Sequence, residues 1–281
     1  MKPLKKNVLI YDGDCPMCRM YSHAFVKTNM LDEDGIQSYN EMSSEVKLEI
    51  DVNRARNEIA LVNTVDHSVQ YGIDSWFSIF SNSFPLFGYL ARFKPFYVFM
   101  KGFYLFISYN RRVIAPGKEF HREDSCDPDY NITWRIVYLA VISVLVAISL
   151  NTYLKAVPIY ANQHIGIFTE WLIVLGQMAF QGSFLFFIRK ERMLHYFGHL
   201  MTISMIGSLF LIPAIILQKP LMTISPWLYL SWFGIPVAIM LSQHVKRTKM
   251  LELPFLLTCT WLLYRMLLLI AFLSYANIFS L

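Results

Sequence analysis

Charge is scarce in this chain: Asp, Glu, Lys and Arg together make 16% of 281 residues, against 55% hydrophobic ones. With a mean hydropathy of +0.40, such a composition reads as a membrane protein rather than a soluble domain. There is no glycine-rich phosphate loop, no GxSxG elbow and no HExxH helix, which excludes P-loop nucleotide, serine-hydrolase and zinc-protease chemistry. The net charge of +5 is modest and explained by membrane topology, so no nucleic acid partner is expected. Nothing is repeated or low in complexity. No secretory signal is expected either, because Met1–Lys6 is followed by only a short apolar stretch before Asp12.

Cysteine is also rare, with four in the chain, and two of them form the pair Cys15-Pro16-Met17-Cys18. The pair follows the apolar strand Val8–Tyr11 after Asp12-Gly13-Asp14 and opens a predicted helix. Unpaired N–H groups and the peptide dipole at a helix entrance stabilise negative charge. A Cys15 in the first turn therefore has its pKa drawn below the free value of about 8.5 and becomes the attacking sulfur. Cys18, one turn on, is placed to resolve a mixed disulfide. Asp14 is a candidate cap for the helix, although its charge opposes a Cys15 thiolate, and Arg19 is the nearby cation that offsets it. Two thiols at this spacing also make half of a zinc site. The other half is missing, since Cys126 and Cys259 are isolated and His23 follows Cys18 on the same helix.

The run Tyr11-Asp12-Gly13-Asp14-Cys15-Pro16-Met17-Cys18-Arg19 resembles the DCC-type thiol-disulfide oxidoreductase family. A second stretch, Val69-Gln70-Tyr71-Gly72-Ile73-Asp74 with an aromatic region ending Tyr109-Asn110-Arg111-Arg112, is similar too. The resemblance spans about residues 5–118. It implies a thioredoxin-like fold and dithiol-disulfide activity, with Cys15 and Cys18 as the redox residues and Asp12 as part of the signature. The chain departs from thioredoxins proper in one respect: Ala55-Arg56-Asn57, with no proline, precedes the candidate strand Glu58–Val62.

Strands are predicted at Asn7–Tyr11, Gly35–Tyr39, Glu58–Val65 and Val69–Tyr71, the last two joined by a turn at Asp66-His67-Ser68. Helices are predicted at Pro16–Asn29, at Ser43–Val52 with Ser43 and Ser44 as caps, and from Asp74 to Tyr109. This order suits a thioredoxin-like α/β core. Phe84–Tyr109 mixes Phe87, Phe93, Phe96, Phe99, Phe103 and Phe106 with Arg92, Lys94 and Lys101. It is too charged for a span. Either it packs on the domain's own sheet or it rests as a basic aromatic face on lipid headgroups.

Five later stretches approach or exceed the roughly 20 residues that cross a bilayer: Ile136–Leu154, Ile167–Ile188, Tyr196–Leu217, Ile224–Gln243 and Leu253–Ile278. The expected organisation is a thioredoxin-like dithiol domain at 1–120, a linker at 121–135 and an all-α transmembrane domain at 136–281. Basic residues gather in Arg189-Lys190-Glu191-Arg192 and Lys246-Arg247-Thr248-Lys249, while Lys155 and Lys219 stand in the other connections. The positive-inside rule then puts the N-terminal domain in the cytoplasm and the C-terminus outside. In a reducing cytosol a structural disulfide would not persist, so the pair is expected to cycle.

Polar residues within the spans are the remaining clues. Arg265 is expected to cluster with Gln177 and Gln181, with Glu170 nearer the outer end, as glue between helices in preference to the lining of a small-molecule path. His195 and His199 have metal-ligand spacing but are expected at the interface, as is His244. Cys126 reaches the pair only if its segment folds back, and otherwise packs as a small apolar residue. A relay of thiols through the bilayer is not expected, because Cys259 is alone there.

The sequence thus reads as a membrane-tethered thiol-disulfide oxidoreductase with Cys15 and Cys18 as catalytic residues and Asp12, Asp14 and Arg19 in support. It needs no cofactor beyond the dithiol, although the pair could hold a metal. Its partners would be a protein or small-molecule disulfide or dithiol, a dithiol electron donor and the bilayer. The alternative is a transporter or sensor whose CxxC domain binds metal or reports redox state without catalysis. A scaffold that merely docks a partner is a third reading.

Overall fold

The computed structural model describes residues 3–117, 126, 128–156, 166–217 and 226–278. Asp124, Ser125, Asp127, Lys219 and the start of the fourth expected span lie outside the described residues, as does much of the expected linker. The chain divides into two compact units, Met1–Arg135 and Ile136–Leu281.

The first unit is built on a mixed sheet in the order β2-β1-β3-β4, with strands β1 (Asn7–Tyr11), β2 (Ile36–Ser38), β3 (Ala60–Asn63) and β4 (Val69–Tyr71). β1 runs parallel to β2, pairing Leu9 with Ile36 and Tyr11 with Ser38, and antiparallel to β3, pairing Ile10 with Ala60. β3 and β4 form a hairpin. Its turn falls where the sequence puts it: His67 adopts φ 57°, and the Asp66 carboxylate accepts from the Ser68 N–H and hydroxyl. Alternation along the strands builds two cores. Leu9, Tyr11 and Leu61 join Phe25 and Ile79 on one face, and Ile10, Ala60 and Val62 join Tyr39, Ala55 and Cys126 on the other.

Helix α1 (Pro16–Lys27) connects β1 to β2 and buries Cys18, Ser22 and Phe25, one per turn of a single stripe. It stops two residues before the expected Asn29, because Asn29 takes a left-handed conformation at φ 57°. The single helix expected over Ser43–Val52 is two, α2 (Ser44–Glu49) and α3 (Val52–Asn57). Ile50 is extended, and the Asp51 carboxylate restarts the helix by accepting from the Arg54 N–H.

After β4 the chain forms α4 (Ile73–Ser83), α5 (Pro85–Arg92) and α6 (Lys94–Ile114), each break being marked by Pro85 or Pro95 in the next first turn. Phe77, Phe87 and Phe96 pack ring against ring. Leu86, Tyr89, Phe93, Phe99 and Phe103 stay exposed.

The second unit is helical: most of α7 (Ile132–Ala156), then α8 (Ile167–Arg189), α9 (Met193–Leu209), a short α10 (Ile212–Ile216), α11 (Pro226–Met250) and α12 (Leu256–Ile278). Among the described residues two stretches are long and apolar enough to cross a membrane, Ile132–Lys155 and Ile167–Ile216; the second, 50 residues long, takes in α8 to α10. Pro213, in the first turn of α10, accounts for the break in the expected third span. Lys246–Lys249 do not form the expected loop. They belong to the last turns of α11, and Arg247 is buried there.

Candidate functional site

The Asp12–Cys15 segment turns the chain from β1 into α1. Asp12 builds that turn: its Oδ1 accepts from the backbone N–H groups of Asp14 at 3.0 Å and Cys15 at 3.1 Å. Gly13 lets β2 approach closely: a Cβ there would meet the Ser38 hydroxyl, which would have to rotate away. Cys15 is itself the N-cap residue of α1, with Pro16 following and no side-chain cap. The expectation that Asp14 caps the helix is therefore corrected. Its carboxylate instead accepts from Asn40 Nδ2 at 2.8 Å, because Asp12 already holds the N–H groups of the turn.

Both thiols are buried and unbridged. A hydrogen bond from Cys18 to the Cys15 sulfur, opposed by burial and helped by the Cys18 N–H, brings the Cys15 pKa down to about 7. Donating that bond, together with burial, pushes Cys18 up. The asymmetry makes Cys15 the thiolate of the pair. The hydroxyl of Tyr21, one turn beyond Cys18 on α1, is hydrogen-bonded to Cys18.

The charged partner of the turn comes from the far end of the unit. Arg111, on the last turn of α6, donates from Nε to Asp12 Oδ2 at 3.1 Å, and Arg112 donates from Nη2 to Asp12 Oδ1 at 3.2 Å. The remaining Arg111 donors reach the carbonyls of Asn57, Arg56 and Cys126 and the Ser108 hydroxyl. Burial works against the Arg111 charge, but Cys18, Cys126, Asp12 and Cys15 around it outweigh burial and raise its pKa. Burial likewise pushes the Asp12 carboxyl up while both guanidinium groups pull it down. Arg19, expected as the local cation, is exposed on α1; Arg111 is the cation beside the thiols.

Cys126 does come back to this region. It is buried, and its Sγ lies 3.7 Å from Arg111 Nη2. The sequence contained one signal for the arginines: two adjacent cations closing an aromatic helix, with Tyr104, Ser108 and Arg111 on one helical stripe. The Tyr104 hydroxyl accepts from the Ile59 N–H at 3.0 Å, which ties α6 to the entrance of β3.

Asp12, Cys15 and Cys18 bring three ligand atoms within 4.8 Å of one another. The donor set does not suit a cation. Asp12 Oδ2 is bound to Arg111, and Oδ1 is shared among Arg112 and two backbone N–H groups. A divalent ion would meet a guanidinium where it needs a lone pair.

Beside the pair lies a cavity of about 380 Å³, lined mainly by apolar and aromatic side chains, with Cys18, Cys126, Asp12, Glu58, Ser108 and Arg111 also in its wall. Cys15 is not part of that wall.

In the second unit the polar residues gather, but not as expected. Gln181 accepts from the hydroxyls of Tyr196 and Thr260, and Tyr196 also meets His244 Nε2 at 2.9 Å. His244 Nδ1 lies 3.1 Å from the Thr258 hydroxyl. Arg247 Nη1 lies 2.9 Å from His199 Nδ1. His199 and His244 are thus buried among the helices of this unit, and His195 is half-buried. Arg265 lies over the Trp261 ring at 5.3 Å.

Compared with protein-family models, with curated proteins and with solved structures, the chain matches none.

Proposed function

We propose that this protein is a membrane-tethered thiol-disulfide oxidoreductase of the DCC type, with Cys15 and Cys18 as its redox pair. The observation that carries this reading is the asymmetric dithiol at the mouth of α1: a Cys15 with a pKa of about 7, hydrogen-bonded by a Cys18 held protonated. The β1-α1-β2 unit, the following hairpin and the sheet order β2-β1-β3-β4 support a thioredoxin-like core beneath it.

In the proposed cycle the Cys15 thiolate attacks one sulfur of a substrate disulfide, forming a mixed disulfide and releasing the first substrate thiolate. The Cys18 sulfur gives up its proton and attacks Cys15, which closes the Cys15–Cys18 disulfide and releases the second. A separate dithiol returns two electrons to the pair. In the reverse direction the same atoms oxidise a dithiol substrate.

The helical unit is proposed to span the bilayer five times, with the dithiol on the cytoplasmic side. Arg192 supports the pairing of ends this requires. It donates to the Leu251 carbonyl and, at 3.3 Å, to Glu252, so the basic turn after α8 and the turn after α11 lie at one end of the unit.

The test is a redox titration of the full chain in detergent against glutathione buffers, with alkylation and mass shift read at Cys15 and Cys18. A reversible two-electron transition is expected. Thiols that stay reduced at every potential would overturn the reading. The metal-sensor alternative rests on the 4.8 Å grouping of Asp12, Cys15 and Cys18 and predicts stoichiometric zinc lost on Cys18→Ser.

A further inference from the structure

The cavity beside Cys18 is of the size that takes a small molecule, at the lower end of the about 300–1,000 Å³ such sites occupy. Its walls come from Met17 on α1, Trp76 on α4 and Met100, Phe103, Tyr104 and Ile107 on α6. This mainly apolar lining, with the Asp12 and Glu58 carboxylates in it, disfavours an anionic, strongly hydrated solute such as a glutathione-like peptide, whose polar groups would lose water beside like charge. The charged and hydroxyl groups in its wall have partners: the Arg111 donors reach Asp12, Ser108 and backbone carbonyls, the Tyr104 hydroxyl meets the Ile59 N–H, and the Glu58 carboxylate lies 3.7 Å from Arg54 Nη2. One donor is left. The Trp76 indole N–H is buried and has no acceptor among the described residues.

We infer that this cavity is the binding site for a small, uncharged, lipid-soluble quinone that exchanges electrons with the dithiol through Cys18. The inference rests on the oxidoreductase reading above and names the substrate class on the Cys18 side of the pair. An aromatic ring suits the Met, Phe, Trp and Tyr lining, a carbonyl oxygen answers the Trp76 N–H, and the only sulfur of the pair in the wall is Cys18. Cys18 adds across the quinone, its sulfur to a ring carbon and its proton to one oxygen. The Cys15 thiolate attacks that sulfur; the S–S bond forms, the S–C electron pair returns to the ring, and the second oxygen takes a proton from solvent, replacing the one Cys15 released on ionising. Two thiols and a quinone thereby give one disulfide and one hydroquinone. A dithiol substrate, of the class already assigned to the pair, then reduces the disulfide.

The experiment mixes the reduced full chain in detergent with duroquinone, whose four ring methyls block irreversible arylation. Disulfide formation at Cys15 and Cys18 is followed by alkylation and mass, and duroquinol by absorbance. The expected result is one duroquinol per disulfide at a rate that saturates with duroquinone. Trp76→Phe should raise the half-saturating concentration about tenfold, the loss of one hydrogen bond, and Met100→Trp, which fills the cavity, should slow the reaction at least tenfold. A rate that climbs linearly without saturating, or saturation that neither substitution moves, overturns the inference. If oxidised glutathione forms the disulfide in the same sample and duroquinone does not, the cavity inference fails while the oxidoreductase reading stands. If neither forms it, both fail.

Discussion

Arg111 and Asp12, 99 residues apart in the chain, form a buried ion pair in which Nε lies 3.1 Å from Oδ2. The pair joins the last turn of α6 to the turn that presents Cys15. Asp12→Ala should leave Arg111 and Arg112 buried without their carboxylate and cost about 3–5 kcal/mol. Thermal unfolding of the full chain in detergent would show this as a large drop in Tm, and an unchanged Tm would mean that the pair holds nothing together.

Cys15 should be half ionised near pH 7. Its alkylation by iodoacetamide should rise about tenfold between pH 5 and pH 6 and level off above about pH 8, while Cys18 reacts only at higher pH. Since the Cys18 hydrogen bond is the largest cause, Cys18→Ala should move the Cys15 midpoint up toward the ordinary thiol range. A midpoint that stays near 7 in that variant would assign the shift elsewhere.

Zinc should not be retained stoichiometrically by the purified protein, and a chelator should leave the rate of Cys15 alkylation unchanged. The reason is the commitment of both Asp12 oxygens to N–H donors. Metal analysis beside a thiol titration checks it, and one equivalent of zinc that protects both thiols would favour the sensor reading.

Tyr104→Phe should leave the Ile59 N–H without its acceptor and cost about 1–3 kcal/mol. The same loss is expected in the helical unit for Tyr196→Phe, which removes the hydroxyl between Gln181 and His244. Each is read as a fall in Tm of the full chain, and a fall for only one of them would show that the other hydroxyl is readily replaced by water.

The local features of the fold were legible because local rules set them. β1, the hairpin turn at Asp66–Ser68 and the start of α1 after Cys15 follow from a short apolar run, an Asx turn and Pro16. The split at Ile50-Asp51 was missed because Asp51 sits inside an otherwise helical pattern and acts as a second cap. At the site, the two sulfurs were legible from their spacing, but their charged surroundings were not. Asp14 is the nearest cap on paper although Asp12 builds the turn, and only the path of the chain brings Arg111 rather than Arg19 to the thiols. The side-chain partners of the helical unit were hidden for the same reason. His244 stands beside Lys246 in sequence, yet α11 turns it inward to Tyr196 and Thr258.

The distance in sequence between Asp12 and Arg111 also sets an order of events. The strand and helix that carry the thiols leave the ribosome long before α6, so for that interval Asp12 has no guanidinium to meet and the turn has no lock. Closing so long a loop comes late in folding. The finished domain thus adds a lock to a turn that Asp12 builds locally: a chain halted before Arg111 would keep the Cys15–Cys18 hydrogen bond but leave the Asp12 carboxylate without its guanidinium.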